Sequence, residues 1–340
     1  MLKKIIACTL AALLLLGMLG GCSNAEPAPT TEPKETQPEE EKQVLKVLTL
    51  GSSSSVDACH MLNMVAAAEG VEQELIVGTL YYSGGTLTQH VQFYNQNSNV
   101  YDLYLSSSKT PEKRPQIIKE VSMRSALGYD YWDIIVLQGG SGECLKDETF
   151  TNGNIVVIKE FVQELKKNPE SVFAWHAIAS CSTDPDLIAS YPYSPNPYEN
   201  TAASYDYDRE KMFHERADRL ERFILADEDY EYVVASCTAV ENAITSGLGQ
   251  KGIKRDYTHL TDIGRLVAAY SWYCELYGIQ ELTEIKVDAI PKDFLKTTTD
   301  KTVDRVVTEY EKNIIMEAVN NTIKNPLVIT QSQYTEAPEA

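Results

Sequence analysis

Short apolar runs ending in small or polar residues alternate with stretches of helical spacing, and this rhythm predicts most of the elements. Leu45 to Gly51 reads as a buried strand, and Val56, Met61, Leu62, Met64 and Val65 then recur at helical intervals. Glu74 to Leu80 reads as a second strand, and Gly84, Gly85 and Thr86 open a short helix through Leu87 and His90. The alternation around Val100 to Leu105, in an Asn-, Tyr- and Ser-rich stretch, suits a hairpin at a sheet edge. Gln116 to Leu127 has the spacing of a helix, and Trp132 to Leu137 is a third strand. An amphipathic helix over Ile155 to Lys167 leads to a fourth strand, Ser171 to Ile178. A long charged helix over Asp206 to Ala226 leads to a fifth, Tyr230 to Ala235. Leu260 to Tyr277 is a core helix, and a further helix falls within about 300–324. Strands separated by helices predict an α/β fold: a five-stranded parallel sheet with helices on both faces, in three α/β/α layers.

In such folds chemistry gathers at the carboxyl edge of the sheet. The first strand ends there in Gly51, followed by Ser52, Ser53, Ser54 and Ser55 and then a helix. The first turn of a helix leaves backbone N–H groups unpaired, so a serine at this corner can be a nucleophile beside part of its own oxyanion hole. It can equally be an ordinary helix cap.

The ends of the chain change the picture from a free domain to a tethered one. Lys3 and Lys4 precede an apolar run from Ile5 to Leu19, too short to span a bilayer comfortably. Leu19-Gly20-Gly21-Cys22 resembles the lipobox of bacterial lipoproteins, which predicts a signal peptide over 1–21 and lipidation at Cys22. Residues 22–43 carry four prolines and six glutamates and read as a disordered acidic tether. The expected domain covers 44–330, with a disordered tail over 331–340. The expected location is the outer face of a bacterial membrane, held by the lipid alone.

Charge narrows the partners. A formal net charge of −19 repels nucleic acid and anionic headgroups. Cys59, Cys144, Cys181, Cys237 and Cys274 lack CxxC spacing and are scattered, which argues against a metal cluster or a disulfide framework, though one bridge is possible. His60, His90, His176 and His214 also lack ligand spacing, so neither metal nor cofactor is expected.

Each predicted strand ends in chemistry. Gly84 and Gly85 follow the second strand, Gln138-Gly139-Gly140-Ser141 the third, and Asp256-Tyr257-Thr258-His259 precedes the last core helix. Asp and His three residues apart can place a carboxylate on one imidazole nitrogen while the other faces a serine. The ordered set Gly51-x-Ser53, Gly84, Gln138 and Asp256-x-x-His259 resembles the four-block signature of SGNH (GDSL-type) hydrolases. It is most similar to a bacterial branch whose first block reads Gly-Asn-Ser-Phe-Ser, and the resemblance spans roughly 45–330.

The resemblance implies a flavodoxin-like SGNH fold and a serine esterase. It implies Ser53 as nucleophile, His259 as base and Asp256 as the residue orienting it. The N–H of Ser53, that of Gly84 or its neighbour Gly85, and the amide of Gln138 would form the oxyanion hole. Ser52 stands where the family has Asp or Asn, and Gln138 where most members have Asn. Tyr191, Tyr193 and Tyr198, in the Tyr-rich stretch Asp184 to Asp208, offer flat faces suited to sugar rings. The expected substrate is therefore an acylated glycan or a small ester. A catalytically inactive, glycan- or ligand-binding lipoprotein on the same fold is the alternative.

Overall fold

The computed structural model describes residues 43–295 and 304–336. The expected signal peptide, Cys22, nearly all of the tether and residues 337–340 lie outside the described residues. Among the described residues the strands are β1 (Val44–Gly51), β2 (Glu74–Tyr81), β3 (Tyr101–Ser107), β4 (Gln116–Val121), β5 (Ile134–Leu137), β6 (Val172–His176) and β7 (Tyr230–Val234). The principal helices are α1 (Ser53–Cys59), α2 (Leu62–Ala68), α3 (Leu87–Asn95), α4 (Met123–Leu127), α5 (Asn154–Leu165), α6 (Arg209–Arg219), α7 (Ser236–Ile244), α8 (Asp262–Tyr277) and α9 (Glu309–Lys324).

The fold is α/β, but the sheet is not the five parallel strands expected. It has seven strands in the order β4-β3-β2-β1-β5-β6-β7. β2, β1, β5, β6 and β7 run parallel, while β3 pairs antiparallel with both β2 and β4. The stretch around Val100 to Leu105, expected to form an edge hairpin by itself, supplies only one arm, β3, and the other arm, β4, is the first half of the segment read as a helix over Gln116 to Leu127. The physical reason lies in Ile117, Ile118 and Val121, which are β-branched and favour a pleated surface. Ser122 then caps a separate short helix, its Oγ accepting the Ser125 N–H at 3.1 Å.

β1 shows how the layers form. Val47 and Leu48 are both fully buried, yet they belong to opposite apolar clusters because successive side chains leave opposite faces. Val47 shares its cluster with residues of α2, α8 and α9, and Leu48 with residues of α3, α4 and α5. The long charged helix expected over 206–226 is α6 followed by π-helical turns over Leu220–Leu225. Residues 331–336, expected in a disordered tail, instead pack on α7 and α9. The Ser332 N–H donates to Thr245 Oγ1 at 2.8 Å, and the Gly247 N–H donates to the Tyr334 carbonyl at 2.8 Å. All five cysteines named above are free and buried.

The strand order reverses direction between β1 and β5, which is where open α/β sheets form their crevice. The serine corner follows β1, and Gln138 follows β5.

Candidate active site

The four consecutive serines have four different environments. Ser52 is the N-cap of α1: its Oγ accepts the Ser54 N–H at 3.4 Å and the Gln138 Nε2–H at 3.1 Å. Ser53 opens the helix, half-buried. Neither its hydroxyl nor its N–H has a hydrogen-bond partner among the described residues. Ser54 borders a small cavity. Ser55 is buried and donates its hydroxyl to Gln138 Oε1. Gly51 permits this packing, since a Cβ there would collide with Ser55 Oγ and approach the Gln138 side chain to 2.8 Å. Of the four, Ser52 is thus the helix cap, and Ser55 holds Gln138.

The glycine pair after β2 divides its roles as well. The Gly85 N–H donates to the Tyr82 carbonyl at 3.1 Å, whereas Gly84, exposed and at φ +65°, keeps its N–H unengaged among the described residues. A left-handed residue here favours glycine. Glu143, half-buried, accepts the Gly140 N–H at 2.9 Å and the Leu87 N–H at 3.2 Å, joining the loop after β5 to the start of α3. Burial raises its carboxyl, opposed by those two N–H donors.

Asp256 and His259 form a tight pair. The two Asp256 oxygens lie 3.0 and 2.9 Å from His259 Nδ1, and Oδ1 also accepts the backbone N–H of Thr258 (2.9 Å) and His259 (2.8 Å). Burial alone would raise the Asp256 carboxyl, but the His259 ring and these N–H groups hold it well below the usual carboxylate range. A carboxylate only accepts, so Nδ1 carries a proton, and in the neutral imidazole this leaves the lone pair on Nε2.

Asp57, which the sequence reading did not single out, ties this loop to the serine corner. It is buried on α1, and its carboxylate accepts the Leu260 N–H (2.7 Å), Arg255 Nη1 (3.0 Å) and Arg265 Nη2 (2.7 Å). Burial pushes its carboxyl up, but Arg265 and then Arg255 outweigh that and hold it low. Its signal in the sequence was its spacing: Asp57 lies four residues after Ser53, on the same helical face.

The tyrosines converge on the same loop through Tyr257, another residue not singled out. Tyr257 meets Tyr198 at 4.4 Å and Tyr191 at 4.9 Å between ring centroids, and His259 at 5.8 Å. Tyr191 also packs edge-on to Tyr193 at 5.6 Å and Tyr198 at 5.2 Å. The Ser182 N–H donates to the Tyr257 carbonyl at 2.8 Å, fixing the loop after β6 beside the pair. Among the described residues no group of three or more His, Cys, Asp and Glu is placed to hold a metal ion.

The chain is similar to known proteins along most of its length. The profile of the DUF4886 family, a domain of unknown function, matches residues 46–293. A crystal structure of a DUF4886 family protein from Bacteroides uniformis ATCC 8492 superposes with a TM-score of 0.66 at 22% identity, covering 86% of this chain and 100% of that one. A protein from Slackia heliotrinireducens, provisionally assigned as an SGNH hydrolase, aligns with a TM-score of 0.39 at 14% identity, over 68% of this chain and 99% of that one. No curated protein matches. With its family profile covering the sheet, the serine corner and the Asp256–His259 loop alike, this chain belongs to the DUF4886 family.

Proposed function

We propose that this chain is a serine esterase of SGNH type that removes acetyl or other acyl groups from carbohydrates or small esters. The observation that carries the reading is the Asp256–His259 pair, anchored through Asp57 to the helix that opens with the unpartnered Ser53. In the reaction His259 Nε2 takes the Ser53 proton as Oγ attacks the acyl carbon, and Asp256 stabilises the imidazolium that forms. The oxyanion is met by the N–H groups of Ser53 and Gly84 and by the second Nε2–H of Gln138. Each such donor contributes about 3–4 kcal/mol to the transition state. The imidazolium then returns its proton to the leaving alcohol, and water, activated by the same base, releases the acid from Ser53.

Several features support this beyond the resemblance. Ser52, where the family has Asp or Asn, offers an acceptor to both the α1 cap and the Gln138 amide. The tyrosine wall beside His259 supports a ring-shaped substrate such as a sugar. We further propose export and anchoring through a lipid on Cys22, on the strength of the lipobox resemblance. Acidity argues against nucleic acid as a partner.

A fluorophosphonate probe tests the reading directly, with peptide mapping of the adduct. Labelling at Ser53, abolished in His259→Ala, is the expected result. An adduct on another serine would displace the nucleophile, and no adduct together with no turnover of acetylated sugars would make the chain a binding lipoprotein instead.

A further inference from the structure

The environment of Gln138 contains a buried group that the reaction above leaves without a role. His176, the last residue of β6, is 2% exposed, and its Nδ1 lies 3.3 Å from Gln138 Oε1. The opposite nitrogen, Nε2, has no partner. The ring is wedged edge-on against Trp272 at 5.1 Å. His176 and Ser236, whose Oγ is also buried and unpartnered, both border the cavity of about 20 Å³ that Ser54 lines.

From this geometry we infer that His176 is a positioning residue, held with its proton on Nδ1, that fixes the Gln138 amide so that one N–H remains free for the oxyanion. The inference rests on the esterase reading for the use of that N–H, though not for the tautomer itself. The logic is donor bookkeeping. Gln138 Oε1 receives two hydrogen bonds, one from Ser55 Oγ and one from His176 Nδ1. Nε2 gives one N–H to Ser52, which leaves one. With the proton on His176 Nε2 instead, Nδ1 would be an acceptor and the amide would have to turn over. Both N–H groups would then be engaged, by His176 and Ser55, and none would remain. One proton on one buried ring therefore decides whether the site has its side-chain donor.

Burial holds the imidazole at about 3, so it stays neutral at working pH and carries a single proton. With that proton on Nδ1, Nε2 is an acceptor. A cavity of about 20 Å³ meets the volume that one water needs, and His176 Nε2 and Ser236 Oγ are unpartnered polar atoms of residues that line it.

The test uses the full chain. In the resting wild-type protein, 15N NMR of His176, assigned by its loss in His176→Asn, should report the Nδ1–H tautomer. The Nε2–H tautomer would overturn the inference whatever the enzymology shows. In turnover of a p-nitrophenyl ester, His176→Leu should lower kcat about 10²-fold with little change in KM, the loss expected for one oxyanion donor. His176→Asn, whose amide can place an N–H near the Nδ1 position, should recover most of that loss. In a Gln138→Ala background His176→Leu should cost little more, because the two act through one group. Full additivity, with melting temperatures matched between variants, would make His176 a packing residue only. If no ester is turned over and Ser53 stays unlabelled, the esterase reading falls, and the tautomer alone decides the clamp.

Discussion

Asp57 Oδ2 accepts the backbone N–H of Leu260 at 2.7 Å, a hydrogen bond across 203 residues of sequence. Ser53 lies one helical turn before Asp57, and His259 immediately precedes Leu260. The nucleophile and base proposed above are thus tied to one carboxylate, which accepts from Leu260 rather than from either of them. Asp57→Asn should retain an acceptor for Leu260 while withdrawing the charge that Arg255 and Arg265 face. Asp57→Ala removes both. We expect each to lower stability by roughly 2–4 kcal/mol, as for a broken buried ion pair. Turnover should fall about tenfold in Asp57→Asn and about 10²-fold in Asp57→Ala, the scale on which misplacement by an ångström acts. Equal turnover in the two variants would contradict a positioning role for the Leu260 bond.

The serine run yields a graded prediction. Ser53→Ala and His259→Ala should each cost several orders of magnitude in turnover, and the double variant little more, since they act as a unit. Asp256→Asn should cost about 10⁴-fold by presenting the wrong tautomer. Ser52→Ala should cost about 1 kcal/mol of stability as a lost cap, with a smaller loss of turnover through Gln138. Ser55→Ala should lower kcat while leaving Ser53 labelling detectable. A Ser52 or Ser55 variant as inactive as Ser53→Ala would reassign the nucleophile.

What the sequence showed plainly was whatever depends on local pattern. The parallel strands, the glycine corner and the Asp256-x-x-His259 spacing all follow from short-range periodicity and reach. β4 was missed because Ile117 is exposed and the strand lies at the edge, so its period of two is blurred there. It is further irregular because Glu120 adopts φ +55° and the register with β3 shifts between Tyr101 and Leu103. Asp57 offered no sign in the sequence beyond its spacing from Ser53, and Tyr257 and His176 offered none, for another reason. Each acts through a partner 38 or more residues away, as in the pairings of Asp57 with Leu260, Tyr257 with Tyr198, and His176 with Gln138. A single acidic or aromatic residue carries no sign of which distant backbone it will meet.

The aromatic wall separates selectivity from packing. Tyr193 is 71% exposed and packs edge-on against Tyr191. Tyr198 is partly buried against Tyr257 and against the apolar cluster of Leu145, Cys181 and Met212. Burial raises its phenol to about 12. Tyr193→Ala should therefore alter relative rates among acetylated sugars and p-nitrophenyl esters at an unchanged melting temperature. Tyr198→Ala should lower both, with a stability loss of about 2–3 kcal/mol for a partly buried aromatic. Unaltered substrate ranking in both variants would assign the whole wall to packing.

Stability should fall as pH drops below about 6.5, well before the carboxylates titrate. Burial depresses the His90 imidazole to about 4 and that of His176 to about 3. His60 is lowered to about 4, mainly by burial and then by Arg265. A histidine depressed in the folded state contributes nothing above its unfolded value, because it is neutral in both states. As pH falls below that value the unfolded chain takes up protons that the folded chain refuses, so unfolding is favoured until the folded pKa is reached. At pH 5.5 this is on the order of 1 kcal/mol per imidazole. Asp57 and Asp256 have the opposite history. Their depressed carboxyls stabilise the fold above the ordinary carboxylate value, and that contribution is lost only at lower pH. The half-buried Glu143, raised by burial, relieves a small penalty over the same acid range. The decline between pH 6.5 and 5 is therefore a histidine signal. Urea midpoints at pH 7.5, 6.5 and 5.5 should show a plateau and then a drop. His90→Asn, whose amide can still meet the Tyr101 hydroxyl that His90 Nδ1 approaches at 2.9 Å, should shrink the drop by about a third. A midpoint unchanged from pH 7.5 to 5.5 would mean that these rings are protonated in the fold and that the neutral His176 required beside Gln138 is absent.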